Sequence, residues 1–137
     1  ARAAADNIIP TSTGANKAVA EVLPELAGKF AGISFRVPIL DVSVVDLTVQ
    51  LGKTTTAEEI NAAFEEAASG ELRGILAVSR EELVSSDFKN DPHSSIVDAP
   101  STAVLTGDWA KVVSWYDNEW GFSCRMVDLI SYMAQRL

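Results

Sequence analysis

The chain has 137 residues, 47% of them hydrophobic and 22% charged, a composition typical of one globular domain with a buried core. Its net charge of −8 disfavours a nucleic-acid partner, because an acidic surface repels phosphate backbones. No apolar run approaches the roughly 18 residues that span a bilayer, so we expect no membrane partner. One cysteine and one histidine exclude a four-ligand zinc site and an intrachain disulfide, which favours a metal-free, intracellular protein. The chain starts without Met, so we expect that it is either processed or a fragment.

The first third of the chain predicts a strand, a short helix and another strand. Residues 7–14 form a short apolar strand that runs into a polar turn. Apolar residues at helical spacing follow from Val19, and Pro24 ends this helix near Val22 because proline disfavours the α conformation at the residue before it. A strand is predicted over residues 32–38.

The rest of the chain predicts a sheet with two further helices. A strand with alternating side chains covers residues 42–51. A helix begins at Thr56, which forms a capping box with Glu59, and it stops at Gly70. Short strands and a last helix complete the pattern; the strands cover 74–78, 83–88, 94–97, 102–105 and 110–116, and the helix covers 121–136.

Three helices and about seven strands do not alternate strictly along the chain. This order favours an α+β fold over a doubly wound nucleotide fold, with a mainly antiparallel or mixed sheet and the helices packed on one side. No repeat or linker divides the sequence, so residues 1–137 are interpreted as one domain. The glycine motifs of nucleotide-binding loops are absent, so the chain carries no recognisable nucleotide-binding domain of its own.

Two segments have residue types that suit an anion. Residues 11–14 (TSTG) precede a predicted helix, whose N-terminus offers unpaired N–H groups, while the Ser12 and Thr13 hydroxyls add donors and Gly14 permits close approach. The alternative is that Thr13 simply caps the helix, which is the commoner use of such a residue. Arg36 lies between apolar residues of a strand, and its planar guanidinium suits phosphate, a structural carboxylate partner or an exposed face.

A third segment, residues 114–120 (SWYDNEW), joins a strand to the last helix. Its aromatic residues fit a core and its Asp-Asn pair fits a helix cap, while the Asn118 amide could instead bind a ligand carboxamide. Cys124 lies near the start of the last helix and is typical of a small buried hydrophobe. His93 lies in a turn-rich stretch and is predicted to be a surface residue, and no spacing indicates a Cys124–His93 pair.

Taken together, five segments strongly resemble the phosphorylating glyceraldehyde-3-phosphate dehydrogenase family, in the C-terminal part of its catalytic domain. The resemblance covers essentially the whole chain, and the order and spacing agree with the family throughout. The segments are residues 7–15 (NIIPTSTGA), 35–38 (FRVP), 42–48 (VSVVDLT), 84–88 (VSSDF) and 114–121 (SWYDNEWG).

The resemblance implies roles that spacing alone does not. Thr13 and Gly14 match residues that bind inorganic phosphate or the substrate phosphate, and Arg36 matches an arginine that contacts substrate phosphate. Asn118 matches the asparagine that binds the nicotinamide carboxamide of NAD or NADP. The family's nucleophilic cysteine, its histidine and its nucleotide-binding domain all precede the matching region, so we expect no catalytic residue here and an inactive isolated chain.

The resemblance also implies the reaction, the assembly and the location of the whole enzyme. It implies oxidation of D-glyceraldehyde 3-phosphate with inorganic phosphate, in glycolysis or related carbon metabolism, by a cytoplasmic homotetramer, or a plastid one in a photosynthetic eukaryote. The alternatives are an erythrose-4-phosphate dehydrogenase paralogue and a non-catalytic module for anion binding or oligomerisation. The chain departs from the usual family residues at Asn16, 39–41, Pro92 and Phe122, and Phe122 lacks the hydroxyl of the usual tyrosine.

Overall fold

The computed structural model describes residues 2–137, and of Asn16 only the backbone, so the departure at that side chain lies outside what is described. The structure divides into two compact units, one ending at Leu40 and the other comprising Asp41–Leu137. Each unit is described by itself. The assignment of the whole chain to one catalytic-domain segment stays a prediction.

The first unit is built on a two-stranded ribbon. Strand β1 (Ile9–Thr11) pairs antiparallel with β2 (Ser34–Arg36), with Ile9 opposite Arg36. Helix α1 (Ala15–Val22) follows β1 directly. It ends at Val22, as predicted from Pro24, because a 3₁₀ turn (Pro24–Leu26) replaces the α conformation after it.

The second unit contains the main sheet and two helices. Its elements are β3 (Ser43–Gln50), α2 (Ala57–Ser69), β4 (Leu76–Ser79), β5 (Ser95–Asp98), β6 (Ala103–Leu105), β7 (Trp109–Tyr116) and α3 (Trp120–Ala134).

The main sheet is mixed. Its strand order is β3-β7-β5-β4, and β6 pairs with β7 beside β5. All pairs are antiparallel except β4–β5, which is parallel. The long β3–β7 pair runs from Ser43 opposite Tyr116 to Gln50 opposite Trp109. Within residues 2–137, three α-helices and two open sheets, one antiparallel and one mixed, confirm the predicted α+β class.

The core lies on both faces of this sheet, because successive residues of a strand point to opposite sides. On β5, Val97 packs on the side of α2, where Ile60 and Phe64 contact the sheet. Its neighbour Ile96 packs on the other side with Phe88 and Val42. A strand buried on both faces is a rigid support for the loops at its ends.

Helix α2 has both predicted end signals. Thr56 accepts a hydrogen bond from the Glu59 amide, and the Glu59 carboxylate accepts one from the Thr56 amide, at 3.2 Å each. The Thr55 hydroxyl and the Thr56 amide lower the pKa of Glu59. Gly70 caps the C-terminus. The capping-box prediction is confirmed.

One predicted strand is a 3₁₀ turn in the structure, and the last helix has an exposed apolar face. The predicted strand over residues 83–88 is wrong: Ser85–Phe88 is a 3₁₀ turn, because the Asp87 carboxylate accepts the Val84 amide at 2.8 Å and closes a local turn. The last helix forms as predicted, and an apolar stripe along it is exposed. The stripe consists of Phe122, Met126, Leu129, Ile130 and Met133, which are 44% to 66% exposed.

Candidate functional site

The turn between β1 and α1 directs a hydroxyl at the helix N-terminus. Thr13 Oγ1 accepts a hydrogen bond from the Ala15 amide at 3.1 Å, so Thr13 satisfies one of the unpaired N–H groups of α1. A hydroxyl that accepts one hydrogen bond keeps its own proton for donation to a second group. Gly14 and not Thr13 is the N-cap residue of α1, and the Thr13 contact with the Ala15 amide is compatible with anion binding.

Gly14 has no structural need to be glycine in this unit. Its backbone has φ −80° and ψ −8°, a conformation open to every residue type. A Cβ added to Gly14 would meet nothing within 4 Å. The absent side chain leaves open space beside the first turn of α1, where a negatively charged group is favoured by the helix dipole.

Arg36 lies at the end of β2 and is exposed. None of the carboxylates in residues 2–40 forms an ion pair with it, so the predicted alternative of a structural carboxylate partner finds no support within its own unit. The strand pairing places Arg36 opposite Ile9, in the same ribbon that leads to Thr13. The first unit therefore presents a guanidinium, a hydroxyl and a helix N-terminus.

Asn118 lies in the junction between β7 and α3, and the preceding residue anchors this junction. The Asp117 side chain is 1% exposed. Its Oδ1 accepts the amides of Trp120 at 2.7 Å and Glu119 at 2.9 Å, and its Oδ2 accepts the Asn90 amide at 2.8 Å. One carboxylate thus caps α3 and ties the junction to the loop at Asn90.

The charge of Asp117 is stabilised in place. Burial by itself raises the pKa of this carboxyl, but the amides of Trp120, Asn90 and Glu119, with a contribution from the Asp41 side chain, outweigh burial and lower it below its usual value. Asp117 is therefore ionised at neutral pH, and a buried carboxylate with several hydrogen bonds holds its surroundings firmly.

Asn118 itself is exposed, and two polar neighbours contact its amide. The Ser43 hydroxyl donates to Asn118 Oδ1 at 3.0 Å, and Asn118 Nδ2 lies 3.5 Å from Glu119 Oε1. Asn118 borders a shallow pocket of about 260 Å³. The pocket is lined by Ser94, Tyr116, Asp117, Asn118, Gly121, Phe122 and Arg125.

Arg125 was not identified from the sequence, and it joins the start of α3 to the loop that precedes β5. Its guanidinium donates to the carbonyl of Pro92 and to the Ser94 hydroxyl at 3.2 Å each, and it pairs with Asp128 at 2.6 Å. Gly121 lies at the same contact, where an added Cβ would stand 2.9 Å from the His93 carbonyl oxygen. These contacts join residues far apart in sequence, and neither the residue types nor their spacing indicates them.

Cys124 and His93 do not form a catalytic pair in the second unit. No hydrogen bond joins them within residues 41–137, and the ring nitrogen Nδ1 of His93 lies 2.7 Å from Asp91 Oδ1 instead. The described residues contain no group of three His, Cys, Asp or Glu side chains arranged to hold a metal ion. Among the same residues, none of the helices has the length and apolar character to cross a membrane.

The fold and these residues define the class of the protein: an α+β chain with a threonine hydroxyl at a helix N-terminus, an exposed arginine and an exposed asparagine. Residues 1–118 match the family model described as "Glyceraldehyde 3-phosphate dehydrogenase, C-terminal domain". The chain therefore belongs to the glyceraldehyde-3-phosphate dehydrogenase family, and the resemblance predicted from its motifs is confirmed.

Individual relatives agree with this assignment. The chain is 59% identical over 132 residues to "Glyceraldehyde-3-phosphate dehydrogenase 2, cytosolic" of Hordeum vulgare, covering 96% of this chain and 43% of the relative. It is 58% identical over 136 residues to "Glyceraldehyde-3-phosphate dehydrogenase 1" of Bacillus subtilis (strain 168), covering 99% and 41%. It is 60% identical over 136 residues to the enzyme named "Glyceraldehyde-3-phosphate dehydrogenase" of Geobacillus stearothermophilus, with the same coverage. The chain thus spans about two fifths of the length of these relatives.

Proposed function

We propose that this chain is the C-terminal part of the catalytic domain of an NAD- or NADP-dependent, phosphorylating glyceraldehyde-3-phosphate dehydrogenase. The complete enzyme would convert D-glyceraldehyde 3-phosphate, inorganic phosphate and NAD(P) to 1,3-bisphosphoglycerate and NAD(P)H. The observation that carries this proposal is the match of residues 1–118 to the C-terminal domain of that family.

Within the proposed enzyme, the first unit binds phosphate. Thr13 donates its free hydroxyl proton to a phosphate oxygen while its oxygen accepts the Ala15 amide, and the open space at Gly14 admits the anion close to the backbone. The Arg36 guanidinium adds a charge-assisted contact, which is stronger than a neutral hydrogen bond. Inorganic phosphate and the phosphate of the aldehyde substrate share this chemistry.

In the second unit, Asn118 binds the nicotinamide carboxamide. Within residues 41–137 its amide nitrogen has a single hydrogen-bond contact, at 3.5 Å, so it can donate to a carbonyl oxygen, which fits the carboxamide group. When bound, NAD(P) would supply the hydride acceptor. The role of this chain is to orient the ring, and the described Cys124 and His93 take no part in bond-making.

A comparison of two proteins tests the proposal. The first is the 137-residue chain alone, which we expect to show no NAD(P) reduction with glyceraldehyde 3-phosphate and phosphate. The second is a chimera in which this chain replaces the matching segment of the Geobacillus stearothermophilus relative, to which it is 60% identical. We expect the chimera to be active. A folded but inactive chimera would contradict the proposed function. Turnover by the chain alone would contradict the proposal that the catalytic residues lie in another part of the enzyme.

Gly14 offers a sharper test of the phosphate site. In the chimera, Gly14→Ala places a methyl group in the open space beside α1, so we expect the KM for phosphate to rise roughly tenfold, which corresponds to about 1.4 kcal/mol. The stability of the chain should not change, because the added Cβ meets nothing. Gly52→Ala is the matched control, since a Cβ there also has no neighbour within 4 Å. Equal KM values for the two variants would place the phosphate elsewhere.

The assembly and location follow as parts of the same proposal. We expect a homotetramer, as the family resemblance implies, and a cytoplasmic location, which the word "cytosolic" in the name of the Hordeum vulgare relative supports. Light scattering of the chimera checks the tetramer, and a dimer or monomer at the assay concentration would contradict it.

A further inference from the structure

The side-chain amide of Asn118 has two unlike ends, and its orientation decides what it offers a ligand. A rotation by 180° about the last side-chain bond exchanges an acceptor oxygen for a nitrogen that donates two hydrogens. The nicotinamide carboxamide also has one of each. An unrestrained asparagine would therefore sample both orientations, and part of the binding free energy would be lost in selecting one.

Ser43 holds one end of this amide. It is the first residue of β3, and the β3–β7 pairing places it opposite Tyr116, two residues before Asn118. Its hydroxyl donates to Asn118 Oδ1 at 3.0 Å. The register of two long paired strands therefore sets the distance between the hydroxyl and the amide, and the buried Asp117 fixes the intervening backbone.

Glu119 decides which orientation is favoured. A serine hydroxyl can rotate to serve either end of an amide, so Ser43 anchors the side chain without selecting its direction. The Glu119 carboxylate lies 3.5 Å from Asn118 Nδ2, and in the rotated amide the Asn118 oxygen would face that negative charge. Ser43 and Glu119 together keep the oxygen toward β3 and leave an N–H of Nδ2 for the ligand.

We infer that Ser43 is a positioning residue for cofactor binding: it holds the Asn118 amide so that Nδ2 donates to the oxygen of the nicotinamide carboxamide. The inference rests on the proposed function and adds to it the residue that anchors the Asn118 amide, while Glu119 sets the direction of that amide. Ser43 does not contact the reacting atoms in this scheme and acts only through Asn118.

Steady-state kinetics of the chimera test the inference. We expect Ser43→Ala to raise the KM for NAD(P) roughly three- to tenfold, the range of one lost hydrogen bond, without changing the KM for glyceraldehyde 3-phosphate. Ser43→Thr keeps the hydroxyl and should restore the lower value. Ser69→Ala is the matched control, because the Ser69 hydroxyl donates only to the carbonyl of Glu66 within its own helix.

A cofactor analogue reports the direction of the hydrogen bond. The analogue in which a methyl ketone replaces the carboxamide keeps the carbonyl oxygen and lacks the amide hydrogens. If Nδ2 donates to that oxygen, Ser43→Ala should weaken the analogue by the same factor as NAD. A loss confined to NAD would mean that Asn118 accepts from the carboxamide nitrogen, and it would overturn the inference.

The failure of the inference can be separated from failure of the proposed function. If Asn118→Ala leaves the KM for NAD(P) unchanged, the cofactor role of Asn118 is wrong and the inference falls with it. If Asn118→Ala raises the KM and Ser43→Ala does not, only the inference is wrong. NMR of the 137-residue chain gives a readout independent of activity: we expect the Asn118 side-chain amide hydrogens to shift in Ser43→Ala and to return in Ser43→Thr, and unchanged resonances would contradict the contact.

Discussion

Asp117 is the residue on which the geometry around Asn118 depends. Its buried carboxylate accepts three backbone amides. The Asn90 amide lies 27 residues earlier in the chain, and the amides of Glu119 and Trp120 lie 2 and 3 residues later. Replacement by asparagine preserves the shape but removes the charge and one acceptor. We expect Asp117→Asn to lower the free energy of unfolding by about 2 kcal/mol, the magnitude typical of hydrogen bonds to a charged group. Chemical denaturation of the chain measures it.

The same carboxylate should make stability depend on acid. Since the pKa of Asp117 is lower in the folded chain, its stabilisation is complete above the unfolded value of about 3.9 and is lost as the pH falls through the folded value. The lowered pKa of Glu59 acts in the same direction. We expect the free energy of unfolding to fall below about pH 4, and to fall less steeply in Asp117→Asn.

Asp87→Asn is the control for this pH dependence. Its carboxylate is exposed and accepts a single backbone amide, from Val84 at 2.8 Å. We therefore expect the pH profile of Asp87→Asn to follow that of the unmodified chain. If both variants flatten the profile equally, or neither does, the acid sensitivity has another origin than Asp117.

At the scale of elements, a buried polar contact holds α2 against the sheet. Asn61 Nδ2 donates to the Ala99 carbonyl at 3.1 Å, and the Thr102 hydroxyl donates to Asn61 Oδ1 at 2.8 Å. Asn61→Ala leaves the buried Thr102 hydroxyl without its acceptor and removes one of the two hydrogen bonds to the Ala99 carbonyl, so we expect a loss of about 2 kcal/mol in the free energy of unfolding. Glu58→Ala, on the same helix and exposed, should change it by less than about 0.5 kcal/mol. Thermal unfolding compares the two variants.

Elements with local end signals could be predicted from the sequence, and contacts across the fold could not. The capping box at Thr56 and the proline after α1 act within a few residues, so both helices end close to their predicted bounds. Residues 83–88 have the composition of a strand, but the side chain of Asp87 closes a turn that the apolar pattern does not reveal. The Ser43–Asn118 contact joins residues 75 positions apart, a separation at which spacing indicates nothing.

The same distinction between local sequence signals and contacts across the fold applies to the site residues. Thr13, Gly14, Arg36 and Asn118 could be named because their types and spacing resemble a known family, and their roles stay predictions. Asp117, Ser43 and Arg125 position the Asn118 region through hydrogen bonds that only the folded chain displays. Family motifs therefore identify the residues predicted to contact ligands. They identify less readily the residues that position these ligand-contacting residues.

At the scale of the whole molecule, the main unexplained feature is the apolar stripe of α3, defined above. The family model matches residues 1–118 and ends before α3 begins at Trp120. Helical periodicity correctly places the stripe on one face, but periodicity does not say what covers that face. Nothing within residues 41–137 covers it, since Ile130 is 63% exposed and Met133 55%.

An exposed apolar stripe on the isolated chain should drive self-association. We expect sedimentation velocity to show concentration-dependent association of the 137-residue chain, and the double variant Ile130→Glu/Met133→Glu to weaken it strongly. Both side chains are already exposed, so the free energy of unfolding should change by less than about 1 kcal/mol in total. Ser131→Glu/Gln135→Glu adds the same charge to α3 and its C-cap residue outside the stripe, and it is the matched control. If the control reduces association as much as the stripe variant, net charge and not the apolar stripe governs the behaviour of the chain.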